Sequence, residues 1–406
     1  MQAIGCCVLQ KHATHRFRDS AGSVGTEVAT QEGSLAVKEG GPGQNPGARM
    51  MGVFEQMMKD GHEQVLFCYD KATGLKAIIA IHDTTLGPAL GGCRMWPYES
   101  EQAALTDALR LSRGMTYKSA ASGQNHGGGK AVIWGDPRTD KREAYFRAFG
   151  RFVQTLGGRF ITGTDVGTAP GDFVWAKMES PYMVALPEEH GGSGDSSIIT
   201  AFGVWKGMKA AANRVFGDPS LKGLRVAVQG VGKVGYHLVE HLSDEGAIIT
   251  VADVVPENVK RVQESFHVSA VRPEEIYDVP CDIFSPNALG AVINDETVGR
   301  LTCKIVAGAA NNVLKEPRHG DELHRRGILY CPDYVINAGG LIQVADELLG
   351  YNRERAFKKT AAIYDMLTRI FAISEQESIP TYRAADRLAE QRIAEIAQVG
   401  RIYVPE

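Results

Sequence analysis

The sequence predicts an α/β protein of two domains, and three observations carry that prediction. Its 406 residues exceed what one compact domain usually holds. From about residue 196 to 307, short apolar strands alternate with helices, a spacing that builds a parallel sheet covered on both faces. Before that stretch the rhythm differs, with two strands joined by a short turn and then longer-spaced helices, so a second sheet is expected there.

Composition narrows the class further. Hydrophobic residues make up 44%, charged residues 23%, and the formal net charge is -4. Nothing in that balance favours a nucleic acid or an anionic membrane surface as partner. The longest apolar runs, 77–81 and 248–252, are strand-length and far short of the roughly 20 residues of a membrane span. The seven cysteines are scattered without CxxC spacing, which argues for reduced thiols and a cytoplasmic protein. His237 and His241 lie four apart on an expected helix but lack an HExxH context, so no metal site is expected.

Taken in order, residues 1–50 are rich in Gly, Ser, Thr, Lys and Glu without apolar periodicity, and read as a disordered extension. Glu27, Glu32 and Glu39 argue against a transit peptide despite the basic stretch at 12–18. A helix is expected at 53–59, strands at 63–69 and 75–83, and a helix at 101–116 with Leu105, Ala108, Leu109 and Ser112 on one face. A strand at 130–134, a helix at 141–156 and a strand at 160–162 follow. After a helix at 199–216 come strands at 225–229, 248–252, 283–285 and 305–307, with helices at 235–245 and 257–266. Helices at 341–349, 353–376 and 382–397 close the chain. The expected division is a substrate-binding and catalytic domain at 51–190, completed by the helices of 346–406, and a nucleotide domain at 191–345. A deep cleft would separate them.

The nucleotide assignment rests on GVGKVG at 230–235. A lone GxGxxG is weak, but here the strand 224–228 precedes it and a helix follows. Gly230 permits the tight turn, Gly232 lets the backbone approach a pyrophosphate, and Gly235 allows helix to pack on strand. Lys233 and Val234 stand at the helix start, whose free N–H groups attract phosphate. The next strand ends in Asp253, about 20 residues on, where its carboxylate accepts from ribose hydroxyls and repels a 2′-phosphate. The cofactor expected is NAD in a Rossmann-type domain.

Two lysines stand in unusual company. Lys118 ends GMTYK and Lys130 follows three glycines, 127–129. Glycines in such a run cost backbone entropy, and their expected use is close approach of a ligand. A lysine in such a pocket beside a second lysine is disfavoured in its charged form and suits a general base. Asp165 follows in a Gly/Thr-rich loop, TGTDVGT at 162–168, and Asn311-Asn312 follows the strand at 305–307. Each of these is also an ordinary turn or capping residue type.

Together, these motifs resemble the amino-acid dehydrogenases of the glutamate/leucine/phenylalanine/valine family. The resemblance runs from Met51 to the last helix. LGPALGGCR at 86–94 and GHEQVLFC at 61–68 suit both the leucine and phenylalanine branches. TGTD at 162–165, GDSSI at 194–198, GKVGY at 232–236 and GLIQVADEL at 340–348 look like phenylalanine dehydrogenases, whereas Met95-Trp96 and 350–352 look more like leucine dehydrogenases.

The resemblance implies oxidative deamination of a hydrophobic L-amino acid to its 2-oxo acid and ammonia, with NAD as cofactor, in a homo-oligomer. It implies that Lys118 binds the substrate carboxylate, Lys130 activates water and Asp165 assists proton transfer. Asn312 would help hold substrate and nicotinamide, with Thr200 near the cofactor amide. Gly92 would adjoin the substrate, and Leu90, Gly163, Leu341 and Val344 would line an apolar side-chain pocket that cannot pair a glutamate carboxylate. Departures are His126, where related sequences are usually apolar, Asn287 where cysteine is common, and Ala291 in place of glycine. A catalytically silent NAD-binding protein is the rival from another class, and retention of Lys118, Lys130 and Asp165 together argues against it.

Overall fold

A computed structural model describes residues 51–399 of the chain, and the expected extension over 1–50 lies outside them. The first half runs α1 (Val53–Asp60), β1 (Gln64–Asp70), β2 (Leu75–Asp83), β3 (Ala89–Trp96), α2 (Glu101–Ala121), β4 (Gly127–Trp134), α3 (Glu143–Gln154), β5 (Phe160–Thr164) and α4 (Pro170–Lys177). Its five strands form one mixed sheet in the order β1-β2-β4-β3-β5. The β1–β2 hairpin closes on Asp70, whose carboxylate accepts from the Thr73 backbone N–H and hydroxyl at 2.8 and 2.6 Å. Ser100 caps α2 by accepting from the Ala103 N–H.

Two findings here differ from the sequence reading. β3 was not expected, because Pro88 and the pair Gly91-Gly92 interrupt its apolar pattern. The three glycines before Lys130 belong to β4 rather than to a loop. A Cβ on Gly128 would collide with the backbone N and side-chain oxygen of Thr116 on α2, and one on Gly129 would lie 2.6 Å from the Phe160 ring. What approaches the glycines so closely is therefore the protein's own chain, not a ligand. α2 lies almost backbone to backbone on β4, and that fixes where Lys118 stands relative to Lys130.

The second half contains α5 (Ser197–Phe216), β6 (Arg225–Gln229), α6 (Lys233–Asp244), β7 (Ile248–Ala252), α7 (Pro256–Ser265), β8 (Ser269–Ala270), β9 (Ile283–Pro286), β10 (Ile305–Val306), α8 (Pro317–Arg325) and β11 (Leu329–Tyr330). The strands form a parallel sheet in the order β11-β10-β9-β6-β7-β8. Val226, Val228, Ile249, Val251, Ile283 and Ile305 bury one face against Met208, Leu238 and Leu242 of the helices. This is the parallel, helix-covered sheet that the alternation predicts. His241 stacks on Trp205 with ring centroids 5.3 Å apart, and His237 pairs with Glu240.

The remaining helices are α9 (Asp333–Ile336), α10 (Gly339–Glu347), α11 (Arg353–Ala361), α12 (Ile363–Glu377) and α13 (Thr381–Ala397). The single helix expected at 353–376 is two, interrupted at Ala362. α13 returns to the first half. Its Arg392 donates to the Ala120 and Gln124 carbonyls at 3.1 and 2.7 Å, satisfying acceptors at the end of α2. Among the described residues, no helix is long and apolar enough to cross a membrane.

Candidate active site

The site begins with a register. β3 lies between β4 and β5, pairing Leu90 with Gly128 and Ile161, and Cys93 with Ala131 and Thr164. That register sets Gly92 opposite Lys130 on one side and Gly163 on the other. Side chains alternate across a sheet, so Leu90, Gly92, Gly128, Lys130, Ile161 and Gly163 share one face. Having no side chain, Gly92 leaves a lane across the middle strand. Through it the Lys130 ammonium reaches Asp165, just beyond β5, at 2.9 Å. A Cβ on Gly92 would stand 2.9 Å from the Cβ of Asp165 and 2.6 Å from the Thr164 carbonyl.

Lys130 is only 5% exposed. Burial pushes the Asp165 carboxyl up, but the charges of Lys130 and Arg94 together hold it below its usual range. Arg94 donates its Nε to Asp165 at 3.0 Å and its Nη1 to Asp107 at 2.9 Å. Asp107 also accepts from the Tyr98 hydroxyl at 2.7 Å and from Arg110 at 2.9 Å.

Lys118, near the end of α2, donates to Oδ1 of Asn337 at 2.6 Å. Asn337 is 5% exposed, and its amide donates to the Ala309 carbonyl and to Asn311. Burial lowers the Lys118 ammonium to about 8, against the opposing pull of Asp333, while Lys130 adds to the lowering. Asn337 and Arg94 are the site residues that sequence reasoning missed. The signal for Asn337 was its place just before Gly339-Gly340, where α9 ends and α10 begins.

Leu90, Leu341 and Val344 come together in one apolar cluster with Ile161, Val184, Ala345 and Met115. Gly163 borders it, with the Val184 carbonyl 2.7 Å from where its Cβ would be. α10, which contributes Leu341 and Val344, is clasped to the segment joining the two halves. Its Glu347 accepts from the N–H groups of Ala185 and Ser193, both at 2.9 Å, and from the Ser193 hydroxyl. Burial raises the Glu347 carboxyl.

The glycine turn after β6 has the shape its residues forecast. Gly230 has φ +90, and a Cβ on Gly235 would strike the Gly230 carbonyl. Around the would-be Cβ of Gly232 there is open space to 4 Å, at an α6 N-terminus that no side chain caps. That is a cradle fit for a diphosphate. Lys233 pairs with Asp195 at 2.9 Å, and Val234 packs on the core. Asp253 directly follows β7, accepting from the N–H groups of Val231 and Val255 at 2.8 and 2.9 Å. Thr200 lies on α5 beside Gly340, whose Cβ would be 3.3 Å from its hydroxyl.

A cleft of about 880 Å³ runs between the halves, lined by Arg94, Trp96, Asp165, Leu289 and Asn312 among others. Asn312 is exposed and left-handed at φ +52, and it accepts from Arg110 at 3.2 Å. The His126 imidazole is directed at the Pro88 carbonyl. Burial lowers its pKa, and Lys359 is the nearby charge. Its Nδ1 is buried without a partner. A neutral ring in that position does not place a second positive charge on the lysine pair.

Comparison with known proteins fits this geometry. The family model described as "Glu/Leu/Phe/Val dehydrogenase, dimerisation domain" matches residues 62–182, and "Glutamate/Leucine/Phenylalanine/Valine dehydrogenase" matches 191–256 and 251–401. A leucine dehydrogenase of Geobacillus stearothermophilus is 61% identical over 84% of this chain and 94% of its own. A phenylalanine dehydrogenase of Caldalkalibacillus thermarum is 54% identical over 87% of this chain and 96% of its own. The crystal structure of an L-tryptophan dehydrogenase from Nostoc punctiforme superposes with a TM-score of 0.77 at 48% identity, covering 85% of this chain and 99% of that one. The chain belongs to the Glu/Leu/Phe/Val dehydrogenase family and is an NAD-dependent amino-acid dehydrogenase.

Proposed function

We propose that the enzyme oxidatively deaminates a hydrophobic L-amino acid, phenylalanine or leucine with its branched-chain relatives, with Lys130 as general base. The observation that carries this reading is the Lys130–Asp165 pair at 2.9 Å on the same sheet face as the apolar cluster around Leu90. A substrate whose side chain enters that cluster presents its Cα toward the pair. Lys118 and Asn337 hold its carboxylate at the other end of the lysine-lined floor, and Asn312 closes from the nucleotide side.

Bound NAD supplies the acceptor for the hydride that leaves Cα. Lys130 then takes a proton from the water that adds to the resulting imine carbon, and Asp165 relays protons to the departing nitrogen. Amino acid, water and NAD⁺ thus give 2-oxo acid, ammonium, NADH and one proton. Gly230, Gly232 and Gly235 would cradle the diphosphate, with Lys233 and Val234 at the start of the helix behind it, Asp253 would receive the ribose, and Thr200 would serve the cofactor amide. The apolar cluster offers no partner for a side-chain carboxylate, so glutamate is excluded.

The enzyme works as a homo-oligomer on this reading. Support comes from the dimerisation-domain model over 62–182 and from exposed Phe67 and Tyr69 on β1, an edge strand. Initial rates of NAD reduction with single L-amino acids test the proposal. Turnover with phenylalanine or leucine, and none with glutamate, is the expected result.

A further inference from the structure

We propose that Arg94 is a positioning residue for the reaction. It grips Asp165 beside Lys130, while its own anchor, Asp107, ties that grip to the opposite wall of the cleft through Arg110 and Asn312. The inference rests on the reading of Lys130 and Asp165 as the catalytic pair.

Arg94 follows Gly92 by two residues on β3, so it points to the same face as the lane that Lys130 crosses. Its Nε and the Lys130 ammonium take the same oxygen of Asp165, Oδ2, at 3.0 and 2.9 Å. Two cations on one oxygen fix the direction of that carboxylate as well as its charge. The charges facing Asp165 are Lys130 and Arg94 directly, with Lys118 at longer range. Behind Arg94 stand Asp107 and Tyr98.

The guanidinium is used as a fork. Nε serves Asp165 and Nη1 serves Oδ2 of Asp107, which also receives the Tyr98 hydroxyl. A lysine has the charge but cannot span both carboxylates. The second oxygen of Asp107 takes Nη2 of Arg110 at 2.9 Å, and Nη1 of Arg110 reaches Asn312 across the cleft at 3.2 Å. Alternating charges therefore run from Lys130 to Arg110, and a hydrogen bond to the neutral Asn312 carries the link on to the nucleotide half.

The pH dependence has a definite sign. The Lys130–Asp165 pair must give up a proton before Lys130 can act as base, so activity is present above the pair's apparent pKa and is lost as pH falls through it. Burial pushes the Asp165 carboxyl up and two cations pull it down. Without the Arg94 charge the pair takes up its proton more readily, and the acid limb of the kcat profile moves to higher pH, by about one unit or more for a charge at this range.

The experiment measures pH profiles of kcat and kcat/KM, with NAD affinity by fluorescence titration, on full-length protein. Arg94→Gln should lose about ten-fold or more in kcat at neutral pH, with its acid limb shifted up and NAD affinity unchanged. Arg94→Lys should restore the limb but not kcat. Arg110→Met should lower kcat a few-fold with the limb in place, and that effect should vanish in an Asp107→Asn background. An Arg94→Gln limb that superimposes on the parent's overturns the grip on Asp165. If Arg94→Gln does not fold, parent-like kcat in Arg94→Lys overturns it instead. Effects of Arg110→Met and Asp107→Asn that multiply independently overturn the link across the cleft. Lys130→Ala is the companion control, since near-normal turnover there refutes the catalytic pair itself rather than the role of Arg94.

Discussion

The Nζ of Lys118 lies 2.6 Å from Oδ1 of Asn337, a buried asparagine whose amide is held by the Ala309 carbonyl and Asn311. A lysine on α2 is thus oriented by the residue that ends α9, in the second half of the chain. Losing a hydrogen bond to a charged group costs about 1.5–3 kcal/mol. Asn337→Ala should raise KM for the amino acid about ten-fold or more, with a smaller fall in kcat. Steady-state kinetics check this, and an unchanged KM would remove Asn337 from the carboxylate site.

Lys118 also makes a prediction about stability. Its folded pKa, about 8, lies below the ordinary value of 10.5, so the unfolded chain binds the proton more tightly. Charged Lys118 therefore costs stability below pH 8, by about 3 kcal/mol, and the cost is relieved as pH rises from 8 to 10.5. Urea midpoints of the parent and of Lys118→Met should converge or cross over that window as the parent gains. Parallel curves would mean that Lys118 is not buried in its charged form.

Gly92→Ala tests the lane between Lys130 and Asp165. The added methyl would stand 2.9 Å from the Asp165 Cβ and 2.6 Å from the Thr164 carbonyl, so β5 or the pair must shift. A displacement of this size should cost on the order of a hundred-fold in kcat, with NAD affinity kept. A variant with parental kcat would show that the pair tolerates separation.

Asp253→Ser should weaken the preference for NAD over NADP, because the 2′-phosphate is no longer repelled. The substitution also removes the acceptor for the Val231 N–H, so NAD affinity should fall by a few-fold rather than stay level. Kcat/KM for both cofactors reads both effects. A cofactor ratio unchanged from the parent would leave Asp253 as a brace for the glycine turn only.

Much of this site was legible in the sequence because its physics is local. The glycine turn at 230–235 needs a strand before it and a helix after it, and both are visible as periodicity. Lys118, Lys130 and Asp165 stand in motifs dense with glycine and threonine. What was not legible depends on partners distant in the chain. β3 hides because Gly91 and Gly92 carry no apolar signal, yet they are glycine because neighbouring strands occupy the space of a side chain. The glycines at 127–129 announce close approach, but only the fold reveals what approaches: the backbone of Asp83 and Gly87 at Gly127, α2 at Gly128 and Phe160 at Gly129. Arg94 and Asn337 look like ordinary polar residues until Asp165 and Lys118 are brought to them. Asn312 lines the cleft, and its bond to Arg110 depends on a partner about 200 positions earlier that no local pattern announces.

The central claim is tested most directly by following NADH formation when the purified chain is mixed with NAD and, singly, L-phenylalanine, L-leucine, L-valine, L-tryptophan and L-glutamate. The apolar cluster of Leu90, Leu341 and Val344 predicts NADH with phenylalanine or leucine and none with glutamate. Preferred turnover of glutamate, or NAD binding without NADH from any of the five, would contradict it.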